Sequence, residues 1–298
     1  MTWNPQDAGD RAALARLLTR IARDPTGLMG MEDGPPPISR VGFTGAPGAG
    51  KSSLVGALAT LRVQARQPLG VLAIDPTSPL SRGSVLGDRI RMDAIAAHPA
   101  VFIRSLPSSA SHDGLCSNME ALLRVFERAG FQEVLLETVG TGQSQHTVRA
   151  VVDTVVMVLS PHAGDSIQAM KAGLMEMADI YVVNKSDLPD ARRTAAEIRG
   201  VVQRSGAPSA WVPPVLLTCS TTGEGVAELS RQIDGHAAQV VKLRPAQEVA
   251  AQRMRRHVGE VLQRRLAHQL AEQDAALWRQ PLADILAAVL PTGPLGRG

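Results

Sequence analysis

The chain has 298 residues, of which 44% are hydrophobic and only 3% aromatic, with a formal net charge of +3 from 31 basic and 28 acidic residues. That length suits one α/β domain with appended helices, and the core must be built from aliphatic side chains. No basic tail points to nucleic acid. No apolar run approaches the ~20 residues of a membrane span, and the N-terminus lacks a signal pattern. Cys116 and Cys219 belong to no CxxC or Cys/His cluster, so neither a disulfide framework nor a zinc site is implied. A reducing, cytoplasmic setting is the expectation.

In chain order, residues 9–23 place Leu14, Leu17, Leu18 and Ile21 on one helical face. Gly and Pro mark 30–37 as a linker. Short β-branched runs follow at 38–45, 70–75, 101–105, 133–140, 154–160, 180–185 and 212–218, separated by helical segments. Several are apolar on both faces, as strands of a covered parallel sheet must be. The expected fold is therefore α/β, a doubly wound, mostly parallel sheet. From about 245 the pattern is helical, with Met254, Val258, Val261, Leu262, Leu266 and Leu270 on one stripe. Another helix is expected over 280–290. Residues 1–34 read as an N-terminal helical arm, 35–240 as a nucleotide domain and 241–298 as a helical extension. Arg255, Arg256, Arg264 and Arg265 fit a solvated face of that extension.

Gly45-Ala46-Pro47-Gly48-Ala49-Gly50-Lys51-Ser52 matches GxxxxGK[ST] between a strand-like and a helix-like run. Glycines let backbone N–H groups wrap phosphates at a helix N-terminus. Lys51 would reach the β- and γ-phosphates, the Ser52 hydroxyl would ligate Mg²⁺, and Ser53 follows in the first turn. Asn184-Lys185-Ser186-Asp187 closes the run at 180–185 and looks like the guanine-specificity motif of GTPases. An aspartate there can accept two hydrogen bonds from guanine, a pair adenine does not offer. Thr218-Cys219-Ser220 occupies the place of the loop whose backbone N–H touches guanine O6; Cys219 and Ser220 replace the usual Ser and Ala.

Three carboxylates stand out. Asp75 ends the run GVLAID, Asp88 lies in GSVLGDRIRM, and Glu137 ends EVLLE before Thr138-Val139-Gly140. A charge closing an apolar strand costs free energy unless it is paired or bound to metal. Most GTPases carry aspartate where Glu137 stands.

The runs VLAIDPTSPLSRGSVLGDRIRM (71–92), FIRS (102–105), ETVGTGQS (137–144) and GDSIQAMKAGLMEMADIYVVNKSD (164–187), together with the phosphate loop, resemble the MeaB/ArgK/MMAA-type GTPases, the G-protein chaperones of adenosylcobalamin-dependent acyl-CoA mutases. The resemblance covers about residues 38–235. It implies a SIMIBI-type sheet, a homodimer held by C-terminal helices, and Mg²⁺-dependent GTP hydrolysis. It further implies gating of cobalamin loading onto the mutase, with protection and reactivation of that enzyme. Lys51, Asp75, Asp88 and Glu137 would be the catalytic set, and Ser52, Asp75, Asp88 and Glu137 the metal shell. The segment GTGQS would be a switch, and 164–173 an extra switch with Asp165, Gln168 and Lys171. Departures fall in segments expected to move and touch the partner: Gln145 ends GQSQ, LPSSASHDGLC follows FIRS with His112 and Asp113, and Ile167-Gln168-Ala169-Met170-Lys171 replaces LQGIK. Two alternatives stand beside this reading, with an amino-acid transport kinase a weaker third because nothing in the sequence reads as a protein-kinase loop. One is a nickel-insertion GTPase, which needs Cys/His ligand clusters that the seven histidines do not form. The other is a nucleotide-sensing module with incidental hydrolysis.

Overall fold

The computed structural model describes residue 4 and residues 7–24, 38–75, 92–107, 118–138, 148–161, 178–204 and 211–289. Seven strands form one parallel sheet: β1 (Ser39–Thr44), β2 (Leu69–Asp75), β3 (Val101–Pro107), β4 (Glu133–Glu137), β5 (Thr154–Leu159), β6 (Ile180–Val183) and β7 (Val215–Leu217), in the order β3-β2-β4-β1-β5-β6-β7. β4, β5 and β6 are buried throughout, which is why their sequences are continuously apolar rather than alternating. The doubly wound α/β fold is present as expected.

The helices are α1 (Ala8–Arg23), α2 (Lys51–Arg62), α3 (Asp93–Ala96), α4 (Met119–Arg128), α5 (Ala191–Arg204), α6 (Val226–Leu243), α7 (Ala246–Ala271) and α8 (Leu282–Val289). Two apolar layers cover the sheet. One gathers α1 and α4 with Leu72, Phe102, Leu136 and Tyr181. The other gathers α2 and α6 with Val41, Phe43, Val71 and Val158. Helix α1 buries Leu14, Leu18 and Ile21, each worth about 1.5–3 kcal/mol, so the N-terminal segment supplies part of the sheet's covering. Among the described residues no helix is long and apolar enough to cross a membrane.

β7 and β6 are shorter than their sequence runs. β7 starts only at Val215, because Pro213 and Pro214 lack the N–H a ladder needs; Pro214 contributes only its carbonyl, accepting from Tyr181 N–H at 2.9 Å. β6 stops at Val183 because Lys185 turns into the left-handed region at φ 60°.

The tail helix α7 faces differently from its apolar stripe. Arg253 and His257 are buried against the domain, while Met254, Val258, Leu262 and Leu266 are exposed by 37–59%. The reason is a buried ionic cluster. Arg40, fully buried, pairs with Glu120 at 2.7 Å and Glu127 at 2.9 Å. Arg253 donates from Nη1 to Glu127 at 2.7 Å and from Nη2 to both carboxylate oxygens of Asp153 at 2.8 Å. Glu260 accepts from the N–H groups of Glu120 and Ala121 at 2.9 and 3.1 Å, closing the first turn of α4. These polar groups must face inward once buried partners await them, so the apolar stripe faces out.

Candidate functional site

Register places the expected site residues at one edge. Phe43 of β1 pairs with Glu137 of β4, Ala73 of β2 with Glu137, Leu159 of β5 with Val183 of β6, and Val183 with Leu217 of β7. The phosphate loop, Glu137, Asn184 and Thr218-Cys219 thus leave adjacent strands at their carboxyl ends, the crevice where open parallel sheets bind ligands. The main chain of Asp75 ends β2 at the same edge. Asp88, the GTGQS segment, residues 164–173, His112, Asp113, Cys116 and Gln145 lie outside the described residues.

The loop geometry explains its glycines. Gly45 has φ 141°, and a Cβ there would stand 1.9 Å from the Val158 carbonyl oxygen. Gly50 has φ 87°, and a Cβ would stand 2.4 Å from Asn184 Nδ2. Only glycine allows the loop to lie this close to β5 and to Asn184. Gly50 opens α2 without a side-chain cap, so the first-turn N–H groups of Lys51, Ser52 and Ser53 present the donor array that favours phosphate. The far end of α2 is fixed by Arg62, which forks onto Glu133 of β4 with two 2.6 Å bonds.

Lys51 is buried, and its Nζ donates to the carbonyls of Gly45 at 2.9 Å and Ala46 at 3.2 Å, which folds the ammonium over the loop. The Ser52 hydroxyl donates to Glu137 Oε1 at 2.7 Å, both side chains being buried. Hard oxygen donors side by side at a helix N-terminus suit Mg²⁺, which takes one or two protein oxygens and completes its shell with water and phosphate. Ser52 and Glu137 therefore fit a magnesium site.

The Asn184–Asp187 segment is tied directly to the glycine-rich loop. Asn184 Nδ2 donates to the Ala49 carbonyl at 3.0 Å, while its Oδ1 accepts from Thr218 Oγ1 at 3.1 Å and Ser220 N–H at 3.2 Å. Lys185 Nζ donates to the Gly48 carbonyl at 2.8 Å. Asp187 Oδ1 accepts from the Cys219 thiol at 3.3 Å. Hydrogen bonds with Thr221 and Thr222 pull that thiol below its usual range. Thr218, the first residue of the Thr218-Cys219-Ser220 run, holds Asn184 through its hydroxyl.

The family described as Methylmalonyl Co-A mutase-associated GTPase MeaB matches residues 34–275. The chain belongs to the MeaB family of GTPases. A Pyrococcus horikoshii protein named as a GTPase is 39% identical over 235 residues, covering 76% of this chain and 74% of its own. The mitochondrial methylmalonic aciduria type A homolog of Mus musculus is 35% identical over 228 residues, covering 75% of this chain and 54% of its own length. A crystal structure of an LAO/AO transport system kinase superposes with a TM-score of 0.65 at 26% identity, over 97% of this chain and 91% of that one. For this MeaB-family GTPase a guanine nucleotide is the ligand.

Proposed function

We propose that this GTPase binds GTP and GDP with Mg²⁺ through the residues above, and that its nucleotide state governs association with an adenosylcobalamin-dependent acyl-CoA mutase in the cytoplasm. The observation that carries the reading is the bridge made by Asn184, whose one amide group touches both the phosphate loop and the Thr218–Ser220 loop. Base identity and phosphate occupancy are thereby read by a single connected structure. Asp187 accepts from the guanine edge, Lys51 meets the β- and γ-phosphates, and α2 directs its amides at them. Ser52 would hold the magnesium ion directly and Glu137 through water; when bound, the ion neutralises charge on the phosphates. Asp75 and Asp88 complete the acidic set by family likeness.

The mutase role is supported by the family's description and by the mouse relative's name. In this role the protein admits intact cofactor to the mutase and protects or reactivates it. The exposed stripe of α7 supports a homodimer, since matching apolar faces can pack about a two-fold axis. Because α7 also carries Arg253 and Glu260 into the domain, deleting it would expose the buried cluster. Val258→Glu with Leu262→Glu is the cleaner test: it leaves those contacts intact and should yield a monomer by light scattering.

The deciding experiment is retention of candidate acyl-CoA mutases on the immobilised protein without nucleotide, with GDP and with a non-hydrolysable GTP analogue. Retention that differs between nucleotide states is expected. No retention in any state contradicts the mutase reading and leaves the nucleotide chemistry intact.

A further inference from the structure

Helix α1 carries four arginines on its outer and flanking faces, and they are used differently. Arg11 is taken up by the fold: its guanidinium donates to the carbonyls of Pro99 at 3.1 Å and Val101 at 3.0 Å and lies 5.8 Å from the centre of the Phe102 ring. Arg16, Arg20 and Arg23 are exposed, and none forms an ion pair with a described carboxylate. Their spacing sets all three along one side of the helix, where like charges disfavour each other. Arg104 reaches the same place from the edge strand β3, held there by an Nη2 bond to Thr19 Oγ1 at 2.7 Å. Thr19 Oγ1 is itself fixed by donating to the Ala15 carbonyl at 2.8 Å.

Together these residues line an open groove of about 500 Å³ in which, among the described residues, four guanidiniums face one carboxylate, that of Asp24. Complementing the helix dipole accounts for Arg20 and Arg23, which stand in the last turn of α1. It does not account for Arg16, further up the helix. The groove is also separate from the nucleotide site: β3 is the edge strand, three strands from β1.

We propose that this groove is a docking surface for an acidic segment of a partner protein. From Arg16 to Arg23 the helix rises about 10 Å, a length that carboxylates on a short peptide can follow, and the planar fork of arginine matches a carboxylate with two parallel hydrogen bonds. A small-molecule pocket would enclose its ligand among apolar and aromatic side chains; this groove is open, and no aromatic residue lines it among the described residues. The same lack of stacking rings disfavours single-stranded nucleic acid. Charge-steered contact of this kind sets association rate and partner choice and weakens with salt.

The test measures fluorescence anisotropy of a labelled hexaglutamate peptide with the full-length protein at 50 and 200 mM salt. A labelled oligothymidine and tripolyphosphate serve as competing probes. The compared variants are Arg16→Glu/Arg20→Glu/Arg23→Glu and, separately, Arg104→Lys, which keeps the charge and loses the fork. Expected are salt-sensitive peptide binding, a loss of at least tenfold in the triple variant, a smaller loss in Arg104→Lys, and GDP affinity unchanged in both. Equal peptide affinity in wild type and triple variant overturns the proposal. So does tighter binding of the oligonucleotide or tripolyphosphate than of the peptide, when that binding is lost in the triple variant.

Discussion

The Ser52 hydroxyl donates a 2.7 Å hydrogen bond to Glu137 Oε1, joining the first turn of the phosphate-loop helix to the end of the neighbouring strand. Glu137→Gln preserves the shape of this contact and removes the charge. Hydrogen bonds to charged groups are worth about 1.5–3 kcal/mol against about 0.5–1.5 for neutral ones, so the Mg²⁺ concentration for half-maximal GTP turnover should rise by about tenfold. Folding, followed by circular dichroism, should be retained. A Mg²⁺ titration identical to wild type would show that Glu137 serves the fold alone.

The buried cluster on the other side of the sheet makes a stability prediction. Arg40 is fully exposed to Glu120 and Glu127 and to no solvent. Arg40→Leu would leave two buried carboxylates facing each other with Arg253 as the remaining cation. Breaking a buried pair by removing one partner costs about 3–5 kcal/mol, so urea unfolding should show a loss of that size. A loss below about 1 kcal/mol would mean that the cluster relaxes to water.

That cluster also marks where sequence reading stops. The phosphate loop, Glu137 and Asn184–Asp187 were legible because each motif is contiguous and its chemistry dictates its residue types. The parallel sheet was legible because doubly covered strands are continuously apolar. The orientation of α7 was not. Its apolar stripe is a local periodic signal, whereas Arg40 meets Glu120 from 80 residues away and Arg253 meets Glu127 from 126 away. Nothing in a helical pattern reveals that an arginine and a glutamate on its polar face are awaited in the core. The shortened β7 was readable in principle from Pro213 and Pro214.

Glu260 gives the junction between α7 and α4 a pH dependence. Burial raises its carboxyl from the usual 4.5 to about 7; the bonds from the Glu120 and Ala121 N–H groups oppose this, the Glu120 charge adds to it and Arg256 opposes it. The folded protein therefore holds this proton more tightly than the unfolded chain between pH 4.5 and 7. Stability from this group is fully present below that window and is lost as pH rises through it. His257 titrates in the opposite sense, pushed below its usual 6.5 by burial and by Arg124 and Arg128, but it is common to wild type and variant. The melting temperature of Glu260→Gln relative to wild type should climb from pH 5 to 7.5 and then level off. Parallel curves across that range would refute the assignment.

The most direct test of the account is titration calorimetry of GDP and ADP, each with Mg²⁺, on wild type and Asp187→Asn. Asp187 accepts from the Cys219 thiol at 3.3 Å, and in the proposed site it accepts from two guanine donors. Replacing it by an amide turns one acceptor into a donor, and losing a charge-assisted bond costs about 1.5–3 kcal/mol. The wild type should bind GDP at least tenfold more tightly than ADP, and the variant should lose that preference through weaker GDP binding. Equal affinity of the wild type for GDP and ADP would contradict the guanine-reading site.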